Sequence, residues 1–342
     1  MKKNIPALNY IRAISAIMVM LYHYTTRYMM SYLNIPADKN HLGLWYGFWA
    51  VYTFFILSGF LTVISMGSET RPKQFLEKRF FRLYPTYWTA IILTSTVTYF
   101  FNRQKFIGII KTLINFTMLQ GCIGITPVDG AYWTLGYELL FYIVIAFVLF
   151  IKKFDKINIL SLFWLIAIIC LDSCQKLFNI PKTINFLFML ALSKEYAHLF
   201  ILGISIACIF KNKKDIISYV NIVLCFCLQY ILHEKNHGGT VFVIAIAVLI
   251  YICAVTNFKL KYDTVLTKLA AISYPLYLIH QNIGYVLIKN LSLAIGYEMS
   301  VAVTIIIMIF AAYIINRFIE IPIGKYLKNN TPRTKDLNKA YL

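Results

Sequence analysis

Long apolar runs separated by short basic loops occupy most of the 342-residue chain. A helix needs about 20 predominantly apolar residues to cross the hydrocarbon core of a bilayer, and the alternating pattern of barrel strands does not occur in this sequence. Hydrophobic residues make up 60% of the chain and charged residues only 14%, against about a quarter charged in soluble domains. The sequence therefore predicts an all-α, polytopic helical membrane protein. We expect about ten transmembrane helices, at residues 8–30, 42–66, 84–101, 132–151, 157–173, 196–210, 216–232, 239–256, 269–289 and 298–319.

The basic residues predict the orientation of these helices. If the N-terminus lies in the cytoplasm, 22 of the 33 Lys and Arg residues fall on the cytoplasmic side, ten fall outside and Arg12 lies within the membrane. This excess follows the positive-inside rule, so we expect both termini to be cytoplasmic. Because the basic residues cluster at the ends of apolar runs, the net charge of +19 does not indicate a nucleic-acid partner.

We expect one membrane domain over residues 1–324 and a basic, flexible cytoplasmic tail over residues 325–342, with no fused extracytoplasmic domain. The first apolar run is too long for the core of a cleavable signal peptide, so it is expected to remain as an anchor. Residues 104–120 are predicted to be amphipathic or re-entrant, and residues 182–192 to lie at the interface or to extend the sixth helix, so nine and eleven spans are the alternatives. The cysteines show no zinc-like spacing, and we expect no metal site.

The first apolar run contains two ionisable residues, Arg12 and His23. Such groups are costly at membrane depth and usually mark a site. Eleven residues turn a helix through about three turns plus 20°, so the two side chains share one face, about 16 Å apart along the axis. Arg12 is a candidate anion clamp and His23 a candidate general base. The alternative is an Arg12 that snorkels to the headgroups and a His23 that bonds to a neighbouring helix.

A second candidate site is the basic segment that precedes the third span. Arg79 and Arg82 are three residues apart and therefore share a helix face, next to Lys78. The cluster is either a topology signal that binds anionic lipid or a cradle for a phosphorylated cytoplasmic cofactor.

A third candidate is Glu138, which lies inside the fourth span with Tyr142 four residues later on the same face. A carboxylate at this depth is costly unless it is paired or protonated. Glu138 is expected to orient His23 or to bind an acceptor sugar. The alternative is a structural partner for a buried arginine.

The ninth and tenth predicted spans each contain a further group of polar residues. Ser273, Tyr277 and His280 share one face of the ninth span, although a lone His280 is more often a satisfied structural histidine. Arg317 and Glu320 close the tenth span, and their spacing allows an ion pair with a structural role.

Taken together, these segments resemble the acyltransferase-3 family of integral membrane acyltransferases. Each segment alone is a weak signal, but six of them occur in the right order along most of the chain. They are Arg12 with His23, the run from Phe54 to Phe60 (FFILSGF), Arg79 and Arg82 with Tyr84-Pro85, Trp133 to Glu138 with Tyr142, Ser273 to His280, and Glu320 to Pro322.

The resemblance implies transfer of an acyl group, usually acetyl, from cytoplasmic acetyl-CoA to a hydroxyl of a carbohydrate. Acetyl-CoA is then a substrate, with no permanently bound cofactor, and the acceptor is a lipid-linked glycan or a surface polysaccharide. The implied setting is the bacterial cytoplasmic membrane, with membrane lipids as further partners. In this family the arginine and histidine of the first span are the residues most closely tied to activity, which implies catalytic roles for Arg12 and His23. We hypothesise that Glu138 acts with them, that Arg12, Arg79 and Arg82 bind CoA, and that His23 either deprotonates the acceptor hydroxyl or relays the acyl group through a transient intermediate. The expected substrate-binding or supporting residues are Ser58, Trp133, Tyr142, Tyr277, His280 and Glu320.

The chain departs from the family pattern at Tyr52. The family commonly has Gly-Val-Asp before the Phe-Phe run, and this chain has Ala50-Val51-Tyr52. If that acid positions the imidazole, Glu138 or another group must replace it here. The competing hypothesis is a transporter or flippase of glycan precursors, which paired broken helices in inverted repeats would favour; no such repeat is found in the sequence.

Overall fold

The computed structural model describes residues 5–35, 44–66, 70–178, 193–233, 237–260 and 263–330, and in these residues it is helical with no β-strand. Several helices are long and apolar, so the prediction of a polytopic helical membrane protein is confirmed. The helices are α1 (Pro6–Leu21), α2 (Tyr28–Tyr32), α3 (Ala50–Ser65), α4 (Pro72–Phe101), α5 (Ile109–Asn115), α6 (Trp133–Phe150), α7 (Ile157–Phe178), α8 (Ala197–Lys211), α9 (Ile216–Leu232), α10 (His237–Thr256), α11 (Asp263–Ala271), α12 (Ser273–Ile295), α13 (Tyr297–Ile315) and α14 (Ile321–Asn330).

Within the described ranges, five helical stretches are long and apolar enough to cross a membrane, and two further apolar helices, α8 and α9, are shorter. The five stretches are Trp45–Ser65, Gly130–Phe150, Phe154–Cys174, His237–Thr256 and Tyr297–Leu327. Where they are described, the predicted spans coincide with helix to within two residues at their ends, except the ninth (269–289), which covers the end of α11, the break at Ile272 and most of α12. The span count and the orientation stay predictions.

Helix α4 begins twelve residues before the predicted third span. The charged residues within the segment 71–82 lower its hydropathy, so the apolar pattern alone did not predict that this segment and the span form one helix. Pro72 occupies the first turn, where proline is tolerated because that N–H lacks a helical partner. Pro85 lies inside the helix without ending it, and the hydroxyl of Thr89 donates to the Pro85 carbonyl at 2.9 Å. Arg79 and Arg82 are therefore carried on the same rigid helix as the span.

The two ambiguous regions have different outcomes. Residues 104–120 contain the short helix α5, with short 3-10 helices at both ends of the range, and the apolar side chains of Ile109, Ile110 and Leu113 are exposed. The loop that follows is fastened by Asn115, whose Oδ1 accepts from the backbone N–H of Val128 at 2.9 Å. Residues 182–192 lie outside the described residues. Helix α14 crosses the predicted boundary at residue 324, and residues 331–342 also lie outside the described ranges.

Glycines allow the close helix contacts that frame the site. A Cβ on Gly59 of α3 would lie 2.0 Å from the backbone oxygen of Phe200 of α8, and one on Gly203 would lie 1.9 Å from that of Ile56. Membrane helices use small residues in this way to bring their backbones together. On the other side of the bundle, a Cβ on Gly284 of α12 would lie 2.3 Å from the Tyr24 hydroxyl oxygen. This contact brings α12 against the helical turn Tyr22–Arg27 that follows α1.

Candidate active site

A cavity of about 90 Å³ opens between α1, α3, α4, α6 and α12. Side chains from five separate sequence segments converge on it. The predicted site residues that line it are Arg12, Ser58, Arg79, Arg82, Glu138, Tyr142 and Tyr277. Ser273 also lines it, and its hydroxyl donates to the Ala270 carbonyl at 2.7 Å.

The cavity wall is cationic. Arg12 lies within electrostatic range of Arg79, Arg82 and Glu138, so three guanidinium groups face one carboxylate. Arg79 is buried, with only 8% of its surface exposed, whereas Arg82 is exposed. Guanidinium groups bind phosphate and carboxylate oxygens through a planar fork of donors, so this wall favours an anionic ligand.

Tyr142 connects the carboxylate to the arginines. Its hydroxyl donates to Glu138 Oε1 at 2.5 Å, and its ring centroid lies 4.7 Å from the Arg79 guanidinium carbon. The Ser58 hydroxyl lies 3.1 Å from the Tyr142 hydroxyl and donates more weakly to Glu138 at 3.4 Å. Glu138 therefore belongs to the arginine-lined cavity, and its hydrogen bonds run to Tyr142 and Ser58.

His23 lies in a different environment from Arg12. The α-helical bonding of α1 ends at Leu21, and Tyr22–Arg27 form a π-helix that continues into α2. Single π-helical turns are rare and often occur at functional sites. His23 Nδ1 lies 3.0 Å from the Tyr285 hydroxyl, and its ring centroid lies 5.0 Å from that of His280. We call His23 and His280 the imidazole pair.

His280 is held from two sides on α12. It is 1% exposed, and its Nδ1 lies 2.7 Å from the Tyr277 carbonyl oxygen. Its own carbonyl accepts from the Tyr24 hydroxyl at 2.8 Å. Its Nε2 is buried and has no hydrogen-bond partner among the described residues. The interpretation of a satisfied structural histidine thus holds for one ring nitrogen and not for the other.

Tyr277 lies between the cavity and the imidazole pair. It lines the cavity, and its ring centroid lies 5.7 Å from that of His280 and 6.0 Å from that of Phe54. Its hydroxyl lies 2.8 Å from the Thr134 hydroxyl and donates to the Ala131 carbonyl at 2.9 Å. One aromatic ring therefore separates the arginine-lined cavity from the two histidines.

The remaining predicted residues lie beside the cavity. Trp133 packs against Tyr196, with ring centroids 4.9 Å apart. Glu320 accepts hydrogen bonds from Asn316 at 2.6 Å and Thr86 at 3.4 Å, which ties the end of α13 to α4. The ion pair that the spacing of Arg317 and Glu320 allowed does not form in this described segment. Both residues lie in the π-helix Asn316–Glu320, whose turn is wider than that of an α-helix, and Arg317 is exposed.

Asp129 was not among the predicted site residues. It is fully buried, its Oδ1 accepts from the backbone N–H of Ala131 at 2.9 Å and its Oδ2 from that of Asn282 at 2.8 Å. Burial raises the pKa of Asp129 to about 6, partly opposed by these two hydrogen bonds. An acid directly before an apolar helix resembles an ordinary helix cap. The sequence therefore did not indicate that Asp129 also accepts a hydrogen bond from Asn282 of α12.

Tyr52 lies away from the imidazole pair. It is buried, and its ring packs against His233 and Tyr196, with centroids 5.5 and 6.2 Å away. The hydroxyl that contacts His23 belongs to Tyr285, five residues after His280 on α12. Tyr285 was also not among the predicted site residues.

A family model described as an acyltransferase domain, that of acyltransferase-3, matches residues 5–317. Comparisons with curated proteins and with solved structures found no significant match. The matched range is nearly the whole chain and contains the arginine-lined cavity and the imidazole pair. The family expected from the six ordered motifs is thus confirmed, and the chain belongs to the acyltransferase-3 family of membrane acyltransferases.

Proposed function

We propose that this protein transfers an acetyl group from cytoplasmic acetyl-CoA to a hydroxyl of a cell-surface or lipid-linked carbohydrate, in the bacterial cytoplasmic membrane. The observation that carries the proposal is the convergence of three arginines and a carboxylate on one cavity, with two imidazoles one aromatic ring away. Membership of the acyltransferase-3 family supports the reaction class. The proposal adds the identity of the donor and the acceptor.

The arginines suit an acyl-CoA donor. Arg82 is exposed at the cavity and Arg79 is buried against the Tyr142 ring, so the two offer forked donors to phosphate at different depths. A lipid-headgroup role for Arg79 is less well supported, since its guanidinium packs inside the protein. Arg12 lines the same cavity and binds the pantetheine arm, and Glu138 offsets one of the three positive charges, so the wall keeps a net positive charge for an anion.

The imidazole pair suits an alcohol acceptor. A hydroxyl attacks a thioester only as its proton leaves, and a neutral imidazole is the side chain best matched to that task near pH 7. His23 and His280 together offer such a group, with their ring centroids 5.0 Å apart. In the proposed reaction the hydroxyl oxygen bonds to the acyl carbon, the carbon–sulfur bond breaks, and CoA leaves as the thiol.

Labelled acetyl-CoA tests the proposal directly. Membranes that carry the wild type are expected to transfer label to glycan extracted from the same cells. Arg12→Ala and His23→Ala are expected to reduce incorporation at least ~100-fold, because each removes a group that holds or activates a reactant. Arg103→Ala is the matched control, since Arg103 is exposed outside the cavity and stacks on Tyr99.

Two results would contradict the proposal. Equal incorporation by the wild type and both variants would exclude a catalytic role for this site. Unchanged acetylation together with loss of surface glycan would favour the transporter hypothesis instead.

A further inference from the structure

The buried, unpartnered Nε2 of His280 indicates which nitrogen of the imidazole pair accepts the proton. A carbonyl oxygen can only accept a hydrogen bond, so the contact with the Tyr277 carbonyl requires the proton of His280 to be on Nδ1. A neutral imidazole carries one N–H, which leaves Nε2 with a bare lone pair. Burying such an acceptor without a partner is unfavourable, so Nε2 would be stabilised by a hydrogen bond from a donor group of the substrate.

His23 has the opposite arrangement. Tyr285 is 3% exposed, and in the described part of the chain its hydroxyl makes its one hydrogen bond to His23 Nδ1. A buried phenol satisfies its proton by donating it, so Nδ1 accepts and the proton of His23 sits on Nε2. One imidazole of the pair thus presents a lone pair at Nε2, and the other presents an N–H.

Building on the proposed acyl transfer, we propose that His280 Nε2 is the general base and that His23 Nε2–H is a hydrogen-bond donor to the thioester carbonyl. The acceptor hydroxyl donates to His280, gives it the proton and bonds to the acyl carbon. His23 stabilises the negative charge that develops on the carbonyl oxygen. The carbon–sulfur bond then breaks, and the imidazolium of His280 returns the proton to the sulfur, so that CoA leaves as the thiol and both histidines regain their starting state.

This assignment moves the base from His23, where the sequence placed it, to His280. It also gives Tyr285 a positioning role, because its hydroxyl fixes the tautomer and the orientation of His23. The pair then needs no acid at position 52, where this chain has a tyrosine that packs elsewhere.

Glutamine substitutions separate the two roles. A glutamine amide can place an N–H near the position of imidazole Nε2 but cannot act as a base. We expect His23→Gln to keep kcat within about tenfold of the wild type, and His280→Gln to lose at least ~100-fold in kcat with the KM for acetyl-CoA little changed. The reverse order, with His280→Gln active and His23→Gln inactive, would overturn the assignment.

His280→Asn controls for a merely structural role. Its side-chain amide can still donate to the Tyr277 carbonyl, as Nδ1 does, but nothing replaces Nε2. We expect a protein with wild-type thermal unfolding in detergent and a kcat at least ~100-fold lower. Wild-type kcat in this variant would show that His280 serves only its contact with Tyr277, and would refute the proposal.

Nitrogen chemical shifts provide a measurement that does not depend on the variants folding. In wild-type protein labelled with ¹⁵N-histidine, we expect His280 to be protonated at Nδ1 and His23 at Nε2, and the opposite pattern would overturn the assignment. The two proposals fail separately. If the wild type transfers no label from acetyl-CoA, the proposed function fails; if the wild type is active but the glutamine order is reversed, only this inference fails.

Discussion

At the scale of single residues, the cavity depends on Tyr142 more than on any charged side chain. Its ring holds Arg79 by a cation–π contact, and its hydroxyl holds Glu138 by a hydrogen bond. A guanidinium stacks on an aromatic face and keeps its planar fork free for an anion, whereas an ammonium group cannot reproduce this arrangement. The exact cation at position 79 should therefore matter, even though charge alone would make lysine an equivalent.

We predict that Arg79→Lys raises the KM for acetyl-CoA about tenfold, equivalent to ~1.4 kcal/mol of binding, with kcat within about twofold. Steady-state kinetics on purified membranes measure both constants. Arg103→Lys is the matched control, because Arg103 also stacks on aromatic rings, those of Tyr99 and Phe106, but lies outside the cavity. An unchanged KM in Arg79→Lys would show that Arg79 does not bind the donor.

Asp129 is the residue whose ionisation we expect to limit stability. Burial disfavours its charged form and raises its pKa from 3.8 to about 6, so the folded protein binds this proton more tightly than the unfolded chain does. Its stabilising effect is complete below pH 4 and is lost as the pH rises through about 6, a difference of roughly 3 kcal/mol. We predict that the Tm of the wild type in detergent falls between pH 4 and pH 7 relative to that of Asp129→Asn. Parallel Tm curves for the two proteins would contradict this prediction.

At the scale of elements, the apolar runs predicted the helices well because apolar length is a local property. The π-helix Tyr22–Arg27 was not predictable, since tertiary contacts hold it in place. The Tyr24 hydroxyl donates to the His280 carbonyl, and the Tyr297 hydroxyl donates to the Tyr24 carbonyl at 2.6 Å. The sequence predicted that Arg12 and His23 share a helix face, and both lie against α12: Arg12 lines the cavity together with Tyr277, and His23 contacts His280 and Tyr285.

The contact between α3 and α8 is the element-scale feature most sensitive to a single methyl group. We predict that Gly59→Ala lowers the Tm by about 5 °C or more, because the added Cβ meets the backbone of Phe200, which cannot rotate away. Gly136→Ala in α6 is the matched control. Its Cβ would find its nearest neighbour at 3.8 Å, so that its Tm should be unchanged or slightly raised. Equal Tm values for the two variants would show that α3 and α8 tolerate separation.

At the scale of the whole molecule, the sequence predicted which residues belong to the site but not how its histidines are protonated. Ordered motifs identified Arg12, Arg79 and Glu138 as parts of one site, and the cavity brings them together. The protonation of the imidazole pair could not be predicted, because it depends on Tyr277 and Tyr285, whose roles follow only from hydrogen-bond geometry. Polarity across the membrane, by contrast, is predictable from the distribution of basic residues.

That polarity leads to a test of the complete arrangement. In the proposed function the donor is acetyl-CoA, which carries several negative charges and does not cross a bilayer unaided, so we expect it to arrive from the side on which Arg79 and Arg82 lie. The positive-inside count predicts that this side is the cytoplasmic one. We predict that sealed inside-out vesicles incorporate label from external acetyl-CoA, that sealed right-side-out vesicles do not, and that detergent permeabilisation makes the two equal. Incorporation by sealed right-side-out vesicles would contradict the predicted orientation, because the arginine-lined cavity would then receive its donor from the extracytoplasmic side.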